Sequence, residues 1–264
     1  MICGLFDPRL VWAHGCRAAL GAALICGIGA VGSARAGEFA ILPLRVDLSA
    51  QQRAAQIVIR NDDQAPLRMQ LRALRWRQDD AGRDVYEPAE ELIFFPRAVE
   101  VPAGESRIVR LGIRAAAGSI EDSYRLFIAE LPPLATDPRA AAGATVQVVL
   151  EIGVPVFIAP LQPRQKIDVE DLRIRDGVAH WVVRNAGNVH LRAERIELVG
   201  TDAAGTVLFS APVSERYVLA GVARPMQLEV PAAVCARLAA LGVVVSAERL
   251  QVEQSINVVA TSCR

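Results

Sequence analysis

Few residues of this sequence could do chemistry by themselves, and the arginines are the most telling. Arg45 sits in an apolar run just after Pro43, and Arg125 sits inside Tyr124-Arg-Leu-Phe-Ile. Two readings are open for each. One is a surface side chain that lays its stem on the protein and keeps its head in water. The other is a guanidinium held in a cleft to grip a carboxylate through a forked pair of hydrogen bonds. Histidine offers less: His180 and His190 have no metal-ligand spacing, and a lone histidine in a strand is ordinarily packed or solvated. Glu90 and Glu91 are adjacent, so in a strand they point to opposite faces, and both are expected to be solvated. No Gly-x-Ser-x-Gly, phosphate-binding loop, dinucleotide fingerprint or Cys-x-x-Cys is present. Carboxylates can meet across a fold without a trace in the sequence, which leaves an enzyme such as a glycosidase open. The expectation is no catalytic residues, no metal and no cofactor.

The chain's address is legible at its start. Arg9 and Arg17 precede an apolar, Gly- and Ala-rich run over residues 18–31, and Ala34-Arg35-Ala36 is a cleavage signal before Gly37. The run is short of the about 20 residues that a membrane span needs, and no later segment qualifies, so no membrane insertion is expected. Residues 1–36 are read as a signal peptide and the rest as an exported protein. Cys3, Cys16 and Cys26 leave with it. Cys235 and Cys263 remain, and two thiols in an oxidising compartment ordinarily pair; two buried free thiols are the alternative. A bridge there would contribute about 3 kcal/mol by constraining the unfolded chain. The formal net charge is zero, which argues against a nucleic-acid partner.

The elements that must position these residues are strands. Residues 41–46, 56–60, 67–76, 92–95, 106–113 and 124–131 are short apolar or alternating runs. Asn61-Asp62-Asp63, Asp79-Asp80-Ala81-Gly82 and Pro102-Ala103-Gly104 supply turns between them. Residues 134–144 are Ala- and Gly-rich and read as a mobile loop. Residues 145–160 follow, with Val146, Val148, Leu150, Ile152 and Val154 on alternate positions of one long strand. Leu161-Gln162-Pro163 is a Pro-rich elbow. The second half repeats the texture: strands over 169–174, 178–184, 190–198, 206–210, 226–230 and 250–259, and one short helix or loop over 234–241. Such spacing reads as all-β, with two sandwiches. The division is 37–161 for the first domain and 162–264 for the second.

The chain resembles the periplasmic chaperones of the chaperone–usher pilus pathway. The segments that carry the resemblance are Pro43-Leu-Arg-Val-Asp-Leu; Ile57-Val-Ile-Arg-Asn-Asp; Phe95-Pro-Arg-Ala-Val-Glu-Val-Pro-Ala-Gly-Glu; Tyr124-Arg-Leu-Phe-Ile-Ala-Glu-Leu-Pro-Pro; the strand from Val146 to Pro160; and Val183-Arg-Asn-Ala-Gly-Asn-Val-His. The texture is similar to the archaic branch that assembles spore-coat-protein-U-like pili. The resemblance implies two immunoglobulin-like sandwiches set at an angle around a cleft. It implies that Val146, Val148, Leu150 and Ile152 are lent to a pilus subunit that lacks its own final strand, by β-strand addition. It implies that Arg45 anchors the subunit's terminal carboxylate. The lysine of the family pattern falls near Pro155, which carries no charge, and Arg125 is the candidate for the second cation, with Lys166 a weaker one.

The expected partners are a pilus subunit and an outer-membrane usher, and the free protein has an open apolar edge through which it could self-associate. A secreted adhesive or ligand-binding sandwich is the competing reading.

Overall fold

The computed structural model describes residues 38–114, 117–132, 149–214, 217–248, 250–259 and 263. The chain is built of strands, in two sandwiches. The first takes β1 (Phe39–Leu42), β2 (Val46–Leu48), β3 (Ala54–Asn61), β4 (Leu67–Gln78), β5 (Asp84–Pro88), β6 (Leu92–Phe95), β7 (Ala98–Val101), β8 (Ser106–Ile113), β9 (Asp122–Glu130) and β10 (Glu151–Ile158). One sheet runs β1-β3-β8-β6; the other runs β2-β10-β9-β4-β5, with β7 also paired to β4. Alternate residues of both sheets meet in the middle: Ile57 and Ile59, Met69 and Leu71, Val109 and Leu111, Leu126 and Ile128, then Val154, Val156 and Ile158. That period of two is what the sequence displays, because each sheet buries one face only.

The second sandwich takes β11 (Ile167–Arg175), β12 (Val178–Asn185), β13 (Leu191–Arg192), β14 (Arg195–Thr201), β15 (Val207–Val213), β16 (Tyr217–Val218), β17 (Ala223–Glu229), α1 (Ala232–Cys235), β18 (Ala240–Ala247) and β19 (Leu250–Asn257). Its sheets are β11-β12-β17 and β15-β14-β18-β19, with β13 and β16 forming a two-stranded ribbon. Trp181 and Val183, Ile196 and Leu198, and Leu241, Val243 and Val245 fill its core. The Cys235 and Cys263 sulfurs lie at bonding distance, with Cα atoms 5.7 Å apart.

Four expectations are corrected. Residues 41–46 are not one strand: the chain leaves the first sheet after Leu42 and enters the second at Val46, so Arg45 sits in the crossover. Residues 190–198 are likewise split, into β13 and β14 in different sheets. Of the two readings of 234–241 the helix gives way: only Val234 and Cys235 are helical, as the end of α1, a turn and loop follow, and Leu241 opens the core row of β18. Glu90 and Glu91 lie between strands, and Glu91 is paired with Arg75 at 2.9 Å. The N-terminal segment, the loop over 134–144 and residues 145–148 of the long strand fall outside the described residues.

The elbow is held by side chains. Asn188 donates to the carbonyls of Ser119 (2.8 Å) and Gln162 (2.9 Å), and accepts from the Arg164 amide (2.6 Å). Trp76, Phe157 and Leu219 form a small separate core between the sandwiches.

Candidate subunit-binding cleft

β10 is the strand on which the site is built. It pairs antiparallel with β9 along its whole length, from Glu151 opposite Ala129 to Ile158 opposite Asp122. On its other edge β2 covers only Val156, Phe157 and Ile158, in parallel register. Among the described residues that edge is therefore unpaired from Glu151 to Pro155. The Glu130 amide donates to the Leu150 carbonyl at 2.8 Å. In an antiparallel ladder the bonded positions alternate, so Glu151 and Gly153 direct their backbone groups toward the open edge. Pro155 sits where its missing N–H costs no ladder bond, the usual position of a strand proline.

The two halves of β10 differ in burial. Val154, Val156, Phe157 and Ile158 are buried, and Ile152 is half-buried against the same core. Leu150 is 40% exposed and continues the same row past the end of the core.

The open edge runs into a cleft of about 640 Å³ lined by Leu44, Arg45, Arg125, Gly153, Pro155, Arg192 and Tyr217. Arg125 projects from the outer face of β9. Its guanidinium lies 4.1 Å from the centre of the Trp76 ring, and its nearest carboxylate oxygen belongs to Asp84, 3.8 Å away. Its buried Nε has no hydrogen-bond partner among the described residues. Gly153 makes room for it, since a Cβ there would come within 3.3 Å of the Arg125 Cδ and of Phe127. Arg45 donates from Nε to Asp47 at 2.9 Å and has Glu248 3.9 Å away. Burial works against its charge, but Asp47, Tyr217 and Glu248 outweigh that and hold its pKa above the usual value. Burial pushes the Tyr86 phenol up, with nearby Arg125 opposing and Asp84 adding to the shift. A cleft lined by three guanidinium-bearing side chains is suited to an anion, and to a carboxylate in particular.

The first sandwich carries the decisive likeness. Residues 38–163 match the family described as pili and flagellar-assembly chaperone, PapD N-terminal domain. This domain belongs to the pilus-assembly chaperone family. The family is one of chaperones, not enzymes. Solved structures extend the likeness in fold to both sandwiches. One is a chain of the CsuC–CsuE chaperone–tip adhesion subunit pre-assembly complex from the archaic Csu pili of Acinetobacter baumannii. It is 19% identical, with a TM-score of 0.57 over 83% of this chain and 98% of that one. Another is from the SafB chaperone–SafA pilin complex of Salmonella enterica, 12% identical with a TM-score of 0.56 over 84% and 98%. A third is the class 5 fimbriae chaperone CfaA, 13% identical with a TM-score of 0.53 over 83% and 98%. No curated protein matches the sequence.

Beside this domain's last strand, Arg45 and Arg125 come together in one cleft, although 80 residues of sequence separate them. Lys166 does not line it and pairs with Asp168 at 3.1 Å. Val146 and Val148 lie outside the described residues; Leu150 and Ile152 stand at the start of β10. His180 is on β12, outside the cleft. His190 is packed: its backbone amide donates to Glu121 Oε1 at 2.9 Å, its Nδ1 lies 2.9 and 3.0 Å from the two Glu121 oxygens, and its ring stacks on Phe157 at 3.5 Å. Sequence reasoning missed Arg192. The available signal was a change of parity: Leu191 and Ala193 are buried on odd positions, Ile196 and Leu198 on even ones, which marks a break between two strands.

Among the described residues no helix is long and apolar enough to cross a membrane, and no group of three or more metal-binding side chains is found.

Proposed function

We propose that this protein is a periplasmic chaperone that captures pilus subunits by donor-strand complementation, keeps them from polymerising early and delivers them to an outer-membrane usher. The observation that carries the reading is the open edge of β10 running into a cleft lined by Arg45 and Arg125. The N-terminal segment exports the chain, and Cys235 and Cys263 form a disulfide in the oxidising compartment. A subunit with an incomplete sandwich would add its edge to β10. Val146, Val148, Leu150 and Ile152 would fill its groove, each side chain contributing about 1.5–3 kcal/mol when fully buried. Its terminal carboxylate would meet Arg45 and Arg125. Leu150 supports the first part because it is exposed yet in line with the core row. The exposed β10 edge also gives the free protein a route to self-association.

The test is co-expression with a pilus subunit and measurement of the stoichiometric complex. Leu150→Ser or Val148→Ser should weaken capture by about tenfold or more while the melting temperature stays put. Arg45→Ala should weaken it comparably, through loss of a charge-assisted bond. Full capture by both Leu150→Ser and Val148→Ser would overturn the donor-strand reading. Full capture by Arg45→Ala would overturn the anchor.

A further inference from the structure

The cleft holds a third arginine, and it comes from the other sandwich. Arg192 is on β13, opposite Tyr217 of β16, and both line the cleft with Arg45 and Arg125. We propose that Arg192 is a carboxylate-binding residue of this cleft, so that the anion is held from both sandwiches at once. The proposal rests on the reading of the cleft as a carboxylate anchor given above.

A surface arginine near a cleft is by itself weak ground. What strengthens this one is that its ribbon is fastened to the first sandwich on both sides. Gln78 of β4 does one half of this: its Nε2 donates to the Tyr217 carbonyl at 2.9 Å, and its Oε1 accepts from the Leu219 amide at 3.0 Å. A side-chain amide thus takes the place of a neighbouring strand. Glu121 does the other half. It binds the amide and the ring of His190, two residues before Arg192, and both side chains are almost wholly buried. The His190 ring stacked on Phe157 ties the same ribbon to β10 itself. Arg192 is therefore fixed relative to Arg125 and Gly153 by contacts that do not involve its own charge.

The cleft also lacks a cation where its strand passes. β10 contributes Gly153 and Pro155 there, a residue with no side chain and one with no charge. Arg125 reaches over Gly153 from one side, and Arg192 approaches from the opposing sandwich. Two guanidinium groups on separate supports can each offer a forked pair of donors to one carboxylate, which a single point charge cannot. A consequence is that the bound anion bridges the sandwiches and resists any change in their angle.

The experiment uses the full mature chain and two synthetic peptides. Both have the same alternating Val/Thr sequence; one ends in a free carboxylate and the other in an amide. Binding is measured by fluorescence polarisation. The wild type should prefer the free acid by about a hundredfold. Arg192→Ala should cut that preference by about tenfold without changing affinity for the amide, and Arg192→Lys should restore part of it. Gln78→Ala, which loosens the ribbon and leaves every charge in place, should cut the preference by a smaller factor. If Arg45→Ala removes the preference and Arg192→Ala leaves it intact, the anchor reading stands and the proposal for Arg192 is wrong. If the wild type does not distinguish acid from amide, the anchor reading fails and Arg192 fails with it.

Discussion

The first sandwich ends in β10 and the second in β19, and in each sheet that last strand has an edge with no partner along some or all of its described length. Their exposed residues differ. The outward positions of β19 are Gln251, Glu253, Ser255 and Asn257, all polar. Such an edge discourages pairing with another chain. β10 offers Glu151 and Gly153 at its open edge, then Pro155, and it runs into a basic cleft. Its apolar row also continues beyond its own core at Leu150. The ends are tied differently too: Cys263, beyond β19, lies at bonding distance from Cys235, whereas β10 passes directly into the elbow. One edge is closed to strangers and fastened; the other is kept available. An unpaired edge alone does not make a binding strand, and the chemistry along it decides.

The Cys235–Cys263 pair is the sharpest way to break that contrast. A bridge closing a loop with a sequence separation of 28 should contribute the same about 3 kcal/mol through the unfolded state. Replacing both cysteines by serine should lower protection from hydrogen exchange in β12 and β18 by that amount. Protection in β4 and β9 should change far less. Equal losses in both sandwiches would mean that they unfold as one unit.

Beneath the difference lies a shared corner. Asn61 ends β3 and Asn185 ends β12, and both are fully buried. The Nδ2 of Asn61 donates to the carbonyls of Ala65 (2.8 Å) and Val101 (3.0 Å), and its Oδ1 accepts from the Asp63 amide (3.0 Å). The Nδ2 of Asn185 donates to those of Val189 (2.7 Å) and Val218 (2.9 Å), and its Oδ1 accepts from the Gly187 amide (3.0 Å). The offsets along the chain are the same, four residues and two. Alanine at either site strands buried backbone groups and should cost about 2 kcal/mol. Thermal unfolding of Asn61→Ala and Asn185→Ala checks this, and a loss confined to one of them would show that the corners are alike in geometry only.

These corners show how far the sequence could be read. Asn61-Asp62-Asp63 and Asn185-Ala186-Gly187-Asn188 are visible as stops, because asparagine bonds its own backbone and breaks a strand. Their far partners, Val101 and Val218, are invisible, because a long-range hydrogen bond leaves no local pattern. The sheet alternation was legible for the same reason that the sheet switches were not. Period two reports a buried face but not which sheet supplies it. The crossings after Leu42 and after Arg192 therefore read as continuous strands; Arg45 lies within the first crossing and Arg192 just before the second, and both line the cleft. β5 went unread because all five of its residues are exposed, and β7 because Val99 and Val101 alone are too short an alternation to stand out. β18 went unread: its alternation of Leu241, Val243, Val245 and Ala247 was obscured by the alanine-rich run before it.

A second repeated device gives the smallest effect and a test by pH. Asp79 and Asp202 each open an Asp-x-x-Gly turn, with Gly82 and Gly205 at φ of +72° and +81°. The Asp79 Oδ1 accepts from the amides of Ala81 and Arg83, and the Asp202 Oδ1 from those of Ala204 and Thr206. The backbone bond from Arg83 chiefly holds the Asp79 pKa below the ordinary range, and the bond from Thr206 does the same for Asp202. A depressed pKa means that the folded chain binds the proton less readily than the unfolded one. The stabilisation is therefore present above the ordinary aspartate pKa of about 4 and is lost as pH falls through the lower folded value. Asp79→Asn and Asp202→Asn should each flatten the acid limb of the stability curve below about pH 4 and leave neutral stability nearly unchanged. Asp79 should show the larger change, because the Arg83 guanidinium also binds it, at 2.8 Å from Nε and 2.7 Å from Nη2. That extra part is an exposed ion pair and should fade in about 1 M salt, bringing the two variants together. If the Asp79 limb keeps its excess at high salt, the backbone bonds alone account for it and the two turns differ in geometry, not in charge.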